Sequence, residues 1–244
     1  MKTLVWAHRG ASAYVPENTL PSFAKAVEMK ADGIELDVQL TKDGEIVVVH
    51  DESLERVSDG TGFVKDHTLA ELKAMNFNKT HPEFGPVQLP TLEEVYRLIA
   101  PTALTVNVEF KTSIFYYEGI EEKVLDLTAR MGLENRVIYS SFNHYTLTKV
   151  RMLRPEAQTG LLYMDGIIGV AGYARDTALV NALHPALYHL QDPEYVKTAH
   201  RYGLSTHVWT VDDPQFIRMC KAMGVEAIIT NKPDLCRQVL EEAG

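Results

Sequence analysis

Two acidic residues stand inside an apolar, strand-like run. In Gly33-Ile34-Glu35-Leu36-Asp37-Val38 the acids are two positions apart, so on a strand both point to one face while Ile34, Leu36 and Val38 take the other. Glu109 and Lys111 repeat that spacing. Close carboxylates repel, and one takes up a proton unless a cation intervenes. A third carboxylate from Glu109 makes a divalent metal the simpler solution. The donor set is all oxygen, which favours a hard cation, Mg2+ or Ca2+, with Mn2+ tolerated on the same grounds. The plain alternative is a salt-bridge network in which Arg9 and Lys111 neutralise the acids. One acidic pair alone would favour it; three acids with histidines nearby favour the metal.

His8 and His50 are the candidates for a general acid and base, because imidazole titrates near neutral pH and hydrolytic chemistry needs one proton removed and another delivered. Either alone is more often a satisfied structural histidine. Arg9 and Lys111 offer cations to non-bridging phosphate oxygens, Arg9 through its planar fork and Lys111 as a point charge.

Elements must bring these residues together. Short β-branched runs alternate with longer helical stretches, the pattern of a parallel sheet wrapped by helices. The pattern predicts strands at 4–7, 33–40, 105–110, 137–141, 158–162, 182–184, 206–210 and 227–230, and helices at 20–29, 92–99, 118–131, 145–153, 193–202, 214–223 and 235–242. The strand count supports a closed (β/α)8 TIM barrel, an α/β fold, and 244 residues match the roughly 250 of one such domain. Residues 1–244 therefore read as a single domain. In such barrels the polar residues at C-terminal strand ends converge on the active site, and His8, Glu35, Asp37, Glu109 and Lys111 fall at or near such ends. Asp43-Gly44 supplies a hairpin turn into an extra strand over 45–50 that ends in His50-Asp51. From about 51 to 89 the chain is rich in Gly, Asn, Asp and Pro and too long for an ordinary barrel loop. It reads as a small insertion after the second strand, over the barrel mouth. A helix is placed only loosely at 165–180, because Gly166, Gly169 and Gly172 interrupt it.

Acidic residues outnumber basic ones 33 to 24, a net charge of −9, and no Lys/Arg run could track a nucleic-acid backbone. Nucleic acid is not an expected partner, whereas a small phosphate ester remains open if a metal or a few cations reverse the potential locally. The first apolar stretch reaches His8 too soon for a signal peptide, and no segment approaches transmembrane length. Cys220 and Cys236 have neither redox-pair nor zinc-cluster spacing, so reduced thiols in a cytoplasmic protein without stable membrane insertion are expected.

The ordered segments resemble the glycerophosphodiester phosphodiesterases over nearly the whole chain. His8-Arg9-Gly10 followed by Pro16-Glu17-Asn18-Thr19 is similar to that family's opening signature, and Gly33 to Gly44 to its second. Val49-His50-Asp51, Leu89-Pro90-Thr91-Leu92, Glu109-Phe110-Lys111, Trp209-Thr210-Val211 and Ile229-Thr230 follow in order. The resemblance implies a (β/α)8 barrel with an insertion after the second strand. It also implies a divalent metal held at Glu35, Asp37 and Glu109, an acid/base pair at His8 and His50, and phosphate binding by Arg9 and Lys111. Glu17 and Asn18 would lie close to the site and Trp209 near the glycerol moiety, although a core aromatic is an equal reading of Trp209. The family often has Asp and Arg where this chain has Asn231 and Lys232, and Ser58-Asp59-Gly60 replaces a more usual Thr-rich stretch.

The expected reaction is hydrolysis of a glycerophosphodiester, such as glycerophosphocholine or glycerophosphoethanolamine, to sn-glycerol 3-phosphate and an alcohol. Attack by the glycerol 2-hydroxyl through a cyclic phosphate is the first route, and direct attack by water is its variant. Two rivals have different signatures. Phospholipase-like cleavage of lipid phosphodiesters is weakened by the lack of a basic membrane-facing patch or an evident amphipathic interfacial helix. A non-catalytic phosphate-binding barrel shares the fold, which never fixes function by itself.

Overall fold

The structure, a computed structural model, describes residues 2–242. Its strands are β1 (Leu4–His8), β2 (Gly33–Leu40), β3 (Ile46–Val48), β4 (Thr105–Phe110), β5 (Val137–Ser141), β6 (Gln158–Tyr163), β7 (Ala182–Pro185), β8 (Ser205–Val208) and β9 (Ala227–Thr230). Its α-helices are α1 (Leu20–Glu28), α2 (Leu69–Lys73), α3 (Leu92–Ile99), α4 (Ile120–Arg130), α5 (His144–Leu153), α6 (Val170–Asp176), α7 (Tyr195–Arg201), α8 (Pro214–Met223) and α9 (Pro233–Glu241). All strands but β3 pair in parallel in the order β1-β9-β8-β7-β6-β5-β4-β2, and β1 pairs with β2 to close the ring. This is the (β/α)8 TIM barrel that the alternating pattern predicts. The short β3 lies outside the ring, antiparallel to the last residues of β2.

Alternation along β2 shows how the sequence makes a barrel with a reactive interior. Ile34, Leu36 and Val38 pack in the largest apolar cluster with Phe23 and Ala26 of α1 and Leu92, Val95, Tyr96 and Ile99 of α3. The intervening Glu35 and Asp37 are buried too, so they must be satisfied inside the ring. α1 and α3 start where their caps dictate: Thr19 and Thr91 each close a capping box, with Ser22 and Glu94 as reciprocal partners. Cys220 and Cys236 are unbonded and buried where α8 and α9 pack on the barrel. Burial pushes both thiols up to about 12.

Several element ends shift by one or two residues from the sequence-based expectation, and four differences have a visible cause. The extra strand is Ile46–Val48 rather than the whole of 45–50, since His50 and Asp51 turn away to make side-chain contacts. The strand predicted at 206–210 ends at Val208, and Trp209 leaves it to bridge Ala186. The loose helix at 165–180 shortens to α6, which starts after Gly169 in the left-handed region. The stretch expected to be irregular contains α2, begun by a Thr68/Glu71 capping box. That stretch has an apolar cluster of its own, in which Leu54, Val57, Val64, Leu72 and Phe77 pack with Val47 and Val49.

Candidate active site

His8 ends β1 opposite Glu35 in β2, and Asp37 lies opposite Glu109 in β4. Strand register therefore collects at one point what the sequence separates. Oxygen atoms of Glu35, Asp37 and Glu109 lie within 4.8 Å of one another, and all three residues are buried. Burial and the neighbouring Asp37 and Glu109 raise the Glu35 carboxyl well above the ordinary range. Burial also raises Glu109, partly offset by Lys111. Asp37 resists its burial because His50, Arg9 and Lys111 pull it down to about 2.

The turn after β1 sets the cations. Arg9 (φ 54) and Gly10 (φ 81) are both left-handed, and a Cβ on Gly10 would collide with the Ser22 hydroxyl, so the tight reversal requires glycine there. It directs the Arg9 amide to Glu35 Oε2 at 2.9 Å and brings Arg9 Nε to 3.5 Å from Asp37 Oδ2. Asn18, left-handed at φ 55 as asparagine tolerates, donates its side-chain amide to Asp37 Oδ2 at 2.8 Å. Lys111 Nζ donates to Glu109 Oε1 at 2.9 Å and lies 3.9 Å from Asp37 Oδ1. Two buried atoms at the centre, Asp37 Oδ1 and Arg9 Nε, have no hydrogen-bond partner.

The two histidines approach from different sides with different partners. His8 Nε2 lies 3.9 Å from Glu35 Oε2, and burial together with Arg9 lowers its pKa to about 4. His50 sits beyond β3, where the buried Gln39 amide nitrogen lies 2.8–3.2 Å from the carbonyls of Val49, His50 and Asp51. Its Nδ1 meets Asp51 Oδ1 at 2.6 Å. Arg56 then joins Asp51 to Glu17, donating to Glu17 Oε2 at 2.7 Å and Oε1 at 2.8 Å. Glu17 in turn accepts from Arg9 Nη1 at 2.8 Å.

The cleft has a second wall. Phe142, Leu162, Trp209 and Ile229, at or just beyond the ends of β5, β6, β8 and β9, face His8, Arg9, Glu35, His50, Asn107 and Glu109 around a cavity of about 50 Å³. Trp209 stacks edge-on against Phe142 with centroids 5.6 Å apart, and its Nε1 donates to His184 O at 2.7 Å. A larger groove of about 470 Å³ runs outside the barrel wall past α6 and α7, and none of the three clustered acids lines it.

The residues singled out from sequence thus gather in one place: His8, Arg9, Glu35, His50, Glu109 and Trp209 line the cleft, and Glu17, Asn18, Asp37 and Lys111 join that group through hydrogen bonds and ion pairs. Sequence reasoning missed Asn107, Phe142, Arg56 and Asp212, whose carboxylate holds Asn231 behind His8. Asn107 precedes Glu109 by two and shares its face, a signal that extending the strand alternation would have caught. Phe142 reads as core, and Arg56 and Asp212 carry no local pattern. An acidic trio beside two cations and two imidazoles can hold a divalent ion, bind a phosphate and exchange protons with it.

The model of the Glycerophosphoryl diester phosphodiesterase family matches residues 8–235. A glycerophosphodiester phosphodiesterase of Caldanaerobacter subterraneus subsp. tengcongensis is 44% identical over 246 residues, covering 100% of each chain. Among solved structures, an Oleispira antarctica phosphodiesterase in complex with the product sn-glycerol-3-phosphate superposes with a TM-score of 0.86 at 27% identity, over 99% of this chain and 98% of that one. A glycerophosphodiester phosphodiesterase from Agrobacterium tumefaciens superposes with a TM-score of 0.86 at 25% identity, over 97% of this chain and 99% of that one.

Proposed function

The chain belongs to the glycerophosphoryl diester phosphodiesterase family, and from that premise we propose that it hydrolyses glycerophosphodiesters, such as glycerophosphocholine and glycerophosphoethanolamine, to sn-glycerol 3-phosphate and an alcohol. The observation that carries this reading is the buried trio Glu35, Asp37 and Glu109, flanked by Arg9, Lys111, His8 and His50 in one cleft. We read residues 1–244 as one catalytic domain, with 51–89 as the insertion that follows His50.

A divalent cation fits the trio. The donors are hard oxygens, and buried Asp37 Oδ1 has no hydrogen-bond partner, Lys111 Nζ coming only within 3.9 Å, which leaves its lone pairs for a cation. Glu35, Asp37 and Glu109 would hold it, with Mg2+ or Ca2+ preferred by the donor chemistry. When bound, such an ion stabilises negative charge building on the phosphoryl group.

The protein's own groups supply the rest. Arg9 and Lys111 bind the non-bridging phosphate oxygens, Arg9 through its planar fork and Lys111 as a point charge. Glu17 holds the far end of the Arg9 guanidinium, and Asn18 fixes Asp37. His8 accepts the proton of the glycerol 2-hydroxyl as that oxygen attacks phosphorus and the bond to the departing alcohol breaks. His50 delivers a proton to that alcohol; in the second step it takes one from the water that attacks the cyclic phosphate, the bond from phosphorus to the glycerol 2-oxygen breaks, and His8 returns its proton to that oxygen. The partners separate the roles. His50 is held against the Asp51 carboxylate, a counter-charge for a ring that carries the proton to be delivered, whereas His8 meets an uncharged amide, Asn231 Oδ1, at 2.7 Å. Trp209 and Phe142 line the glycerol side and keep water from it.

The test is 31P NMR of glycerophosphocholine with purified protein and Mg2+, Ca2+ or Mn2+. Conversion to the glycerol 3-phosphate resonance is expected, with a transient cyclic phosphate. Turnover of lipid vesicles alone would move the assignment to the phospholipase class. Binding without turnover of any diester would make the chain a phosphate-binding barrel.

A further inference from the structure

His8 has a second partner shell on the side away from the acids. β1 pairs with β9 so that Ala7 faces Thr230, and the next residues, His8 and Asn231, meet through Nδ1 and Oδ1 at 2.7 Å. Asn231 is gripped from behind by Asp212. Asp212 Oδ2 accepts from Asn231 Nδ2 at 2.6 Å, while its Oδ1 accepts from the Asn231 amide and the Thr230 hydroxyl, both at 2.8 Å.

This network dictates which nitrogen of His8 carries hydrogen. A carboxylate oxygen only accepts, so the Asn231 atom facing Asp212 must be the NH2 group. The atom facing His8 is then the carbonyl oxygen, which also only accepts, so Nδ1 must donate. The Ser12 hydroxyl, 2.8 Å from Asn231 Oδ1 and 2.7 Å from the His8 carbonyl, is compatible with this order but does not set it, since a hydroxyl both donates and accepts. In the neutral ring the lone pair is therefore on Nε2, the nitrogen on the side of Glu35.

We propose that Asn231, pinned by Asp212, is the positioning residue that fixes the tautomer of His8, holding Nδ1–H toward the loop after β9 and the Nε2 lone pair toward the substrate. The inference rests on the reading of His8 as proton acceptor given above, and it adds the group that keeps His8 in the accepting form. With the opposite tautomer, Nε2 would carry a hydrogen and could take no proton from a hydroxyl. A merely structural Asn231 would tie the loop after β9 to β1 without any demand on donor and acceptor order.

That order is what the experiment tests. Four proteins are compared: the wild type, N231A, N231D and the double variant D212N/N231D. Each is checked for folding by circular dichroism, for turnover of glycerophosphocholine, and for the His8 tautomer by 15N NMR of histidine-labelled protein, with H8A giving the assignment. N231D alone sets two carboxylates against each other. The double variant restores the order, since the amide introduced at position 212 can donate to the carboxylate introduced at position 231 and still accept from Thr230 and the backbone. The expected wild-type spectrum has a protonated Nδ1 and an unprotonated Nε2 at His8. N231A and N231D should lose roughly tenfold to a hundredfold in kcat with KM changed less than about twofold, N231A with mixed tautomers. The double variant should regain most of the lost kcat and the single tautomer. A double variant no better than N231D, or an N231A protein with wild-type tautomer and kcat, would overturn the proposal. The reading beneath it fails separately: an H8A protein with normal turnover would remove the proton-acceptor role, whatever the spectra show.

Discussion

The two walls of the cleft are built by the same barrel and do opposite things. From β1, β2, β4 and the loop beyond β3 come Glu35, Asp37, Glu109, Lys111, Arg9 and both histidines. From the ends of β5, β6, β8 and β9 come Phe142, Leu162, Trp209 and Ile229. The charged groups that line the cleft thus come from one contiguous arc and are faced by apolar surface. A low-dielectric wall opposite an array of fixed charges strengthens each interaction across the cleft, so the apolar half raises the effect of groups it never touches. The chemistry belongs to one arc, and the other sets how strongly it acts and on what.

Breaking the charged wall should have the largest effect. D37N or E109Q is expected to lower kcat/KM by about 10²- to 10³-fold or more, the several kcal/mol that charge stabilisation at a metal supplies, with the fold retained by circular dichroism. The two histidines belong to the same wall and should cost as much, each roughly 10²- to 10⁴-fold as alanine. They should separate on a substrate whose leaving group is p-nitrophenol, which needs no proton to depart. H50A would recover most of its loss there, and H8A would not. Equal recovery of both would break the division of labour between them. On the apolar wall W209A should raise KM about three- to tenfold, about 1 kcal/mol of contact, and lower stability through the lost Phe142 contact and the lost bond to His184 O.

The smallest effect is thermodynamic and has a sign. Folding raises Glu35 and Glu109 above the ordinary carboxylate value of 4.5, so without metal their contribution is fully present below that value and is lost as pH rises through the folded values. His8, lowered from 6.5 to about 4, acts the other way: its contribution is present above 6.5 and lost as pH falls through about 4. A bound cation relieves the acid repulsion. The gain in Tm on adding metal to chelated protein should therefore grow as pH rises from 4.5, and a gain that shrinks with pH would contradict the acid trio as its origin.

The same contrast explains what the sequence discloses. Acids at alternate positions of an otherwise apolar strand conflict with burial, so Glu35 and Asp37 are visible without a structure. Phe142, Leu162 and Ile229 agree with burial and look like core until the barrel closes. α3 runs Leu92–Ile99 as predicted because the Thr91/Glu94 capping box and an apolar face agree on its limits. α6 is shorter than expected because Gly169 delays its start. Arg56 was illegible because its role arises only when the insertion folds back to bring Asp51 and Glu17 to the same guanidinium. Asn231 was visible only as a departure from the family pattern; its meaning depends on Asp212, which reaches it from another strand's loop.

The most direct test of the central claim, that Glu35, Asp37 and Glu109 hold the divalent ion on which turnover depends, is to titrate a divalent cation into chelated protein while following ion binding and glycerophosphocholine hydrolysis in the same sample. One ion per chain with turnover rising in step, both lost in a D37N protein, is the predicted result. Turnover that survives chelation, or an ion bound equally well by D37N, would contradict it.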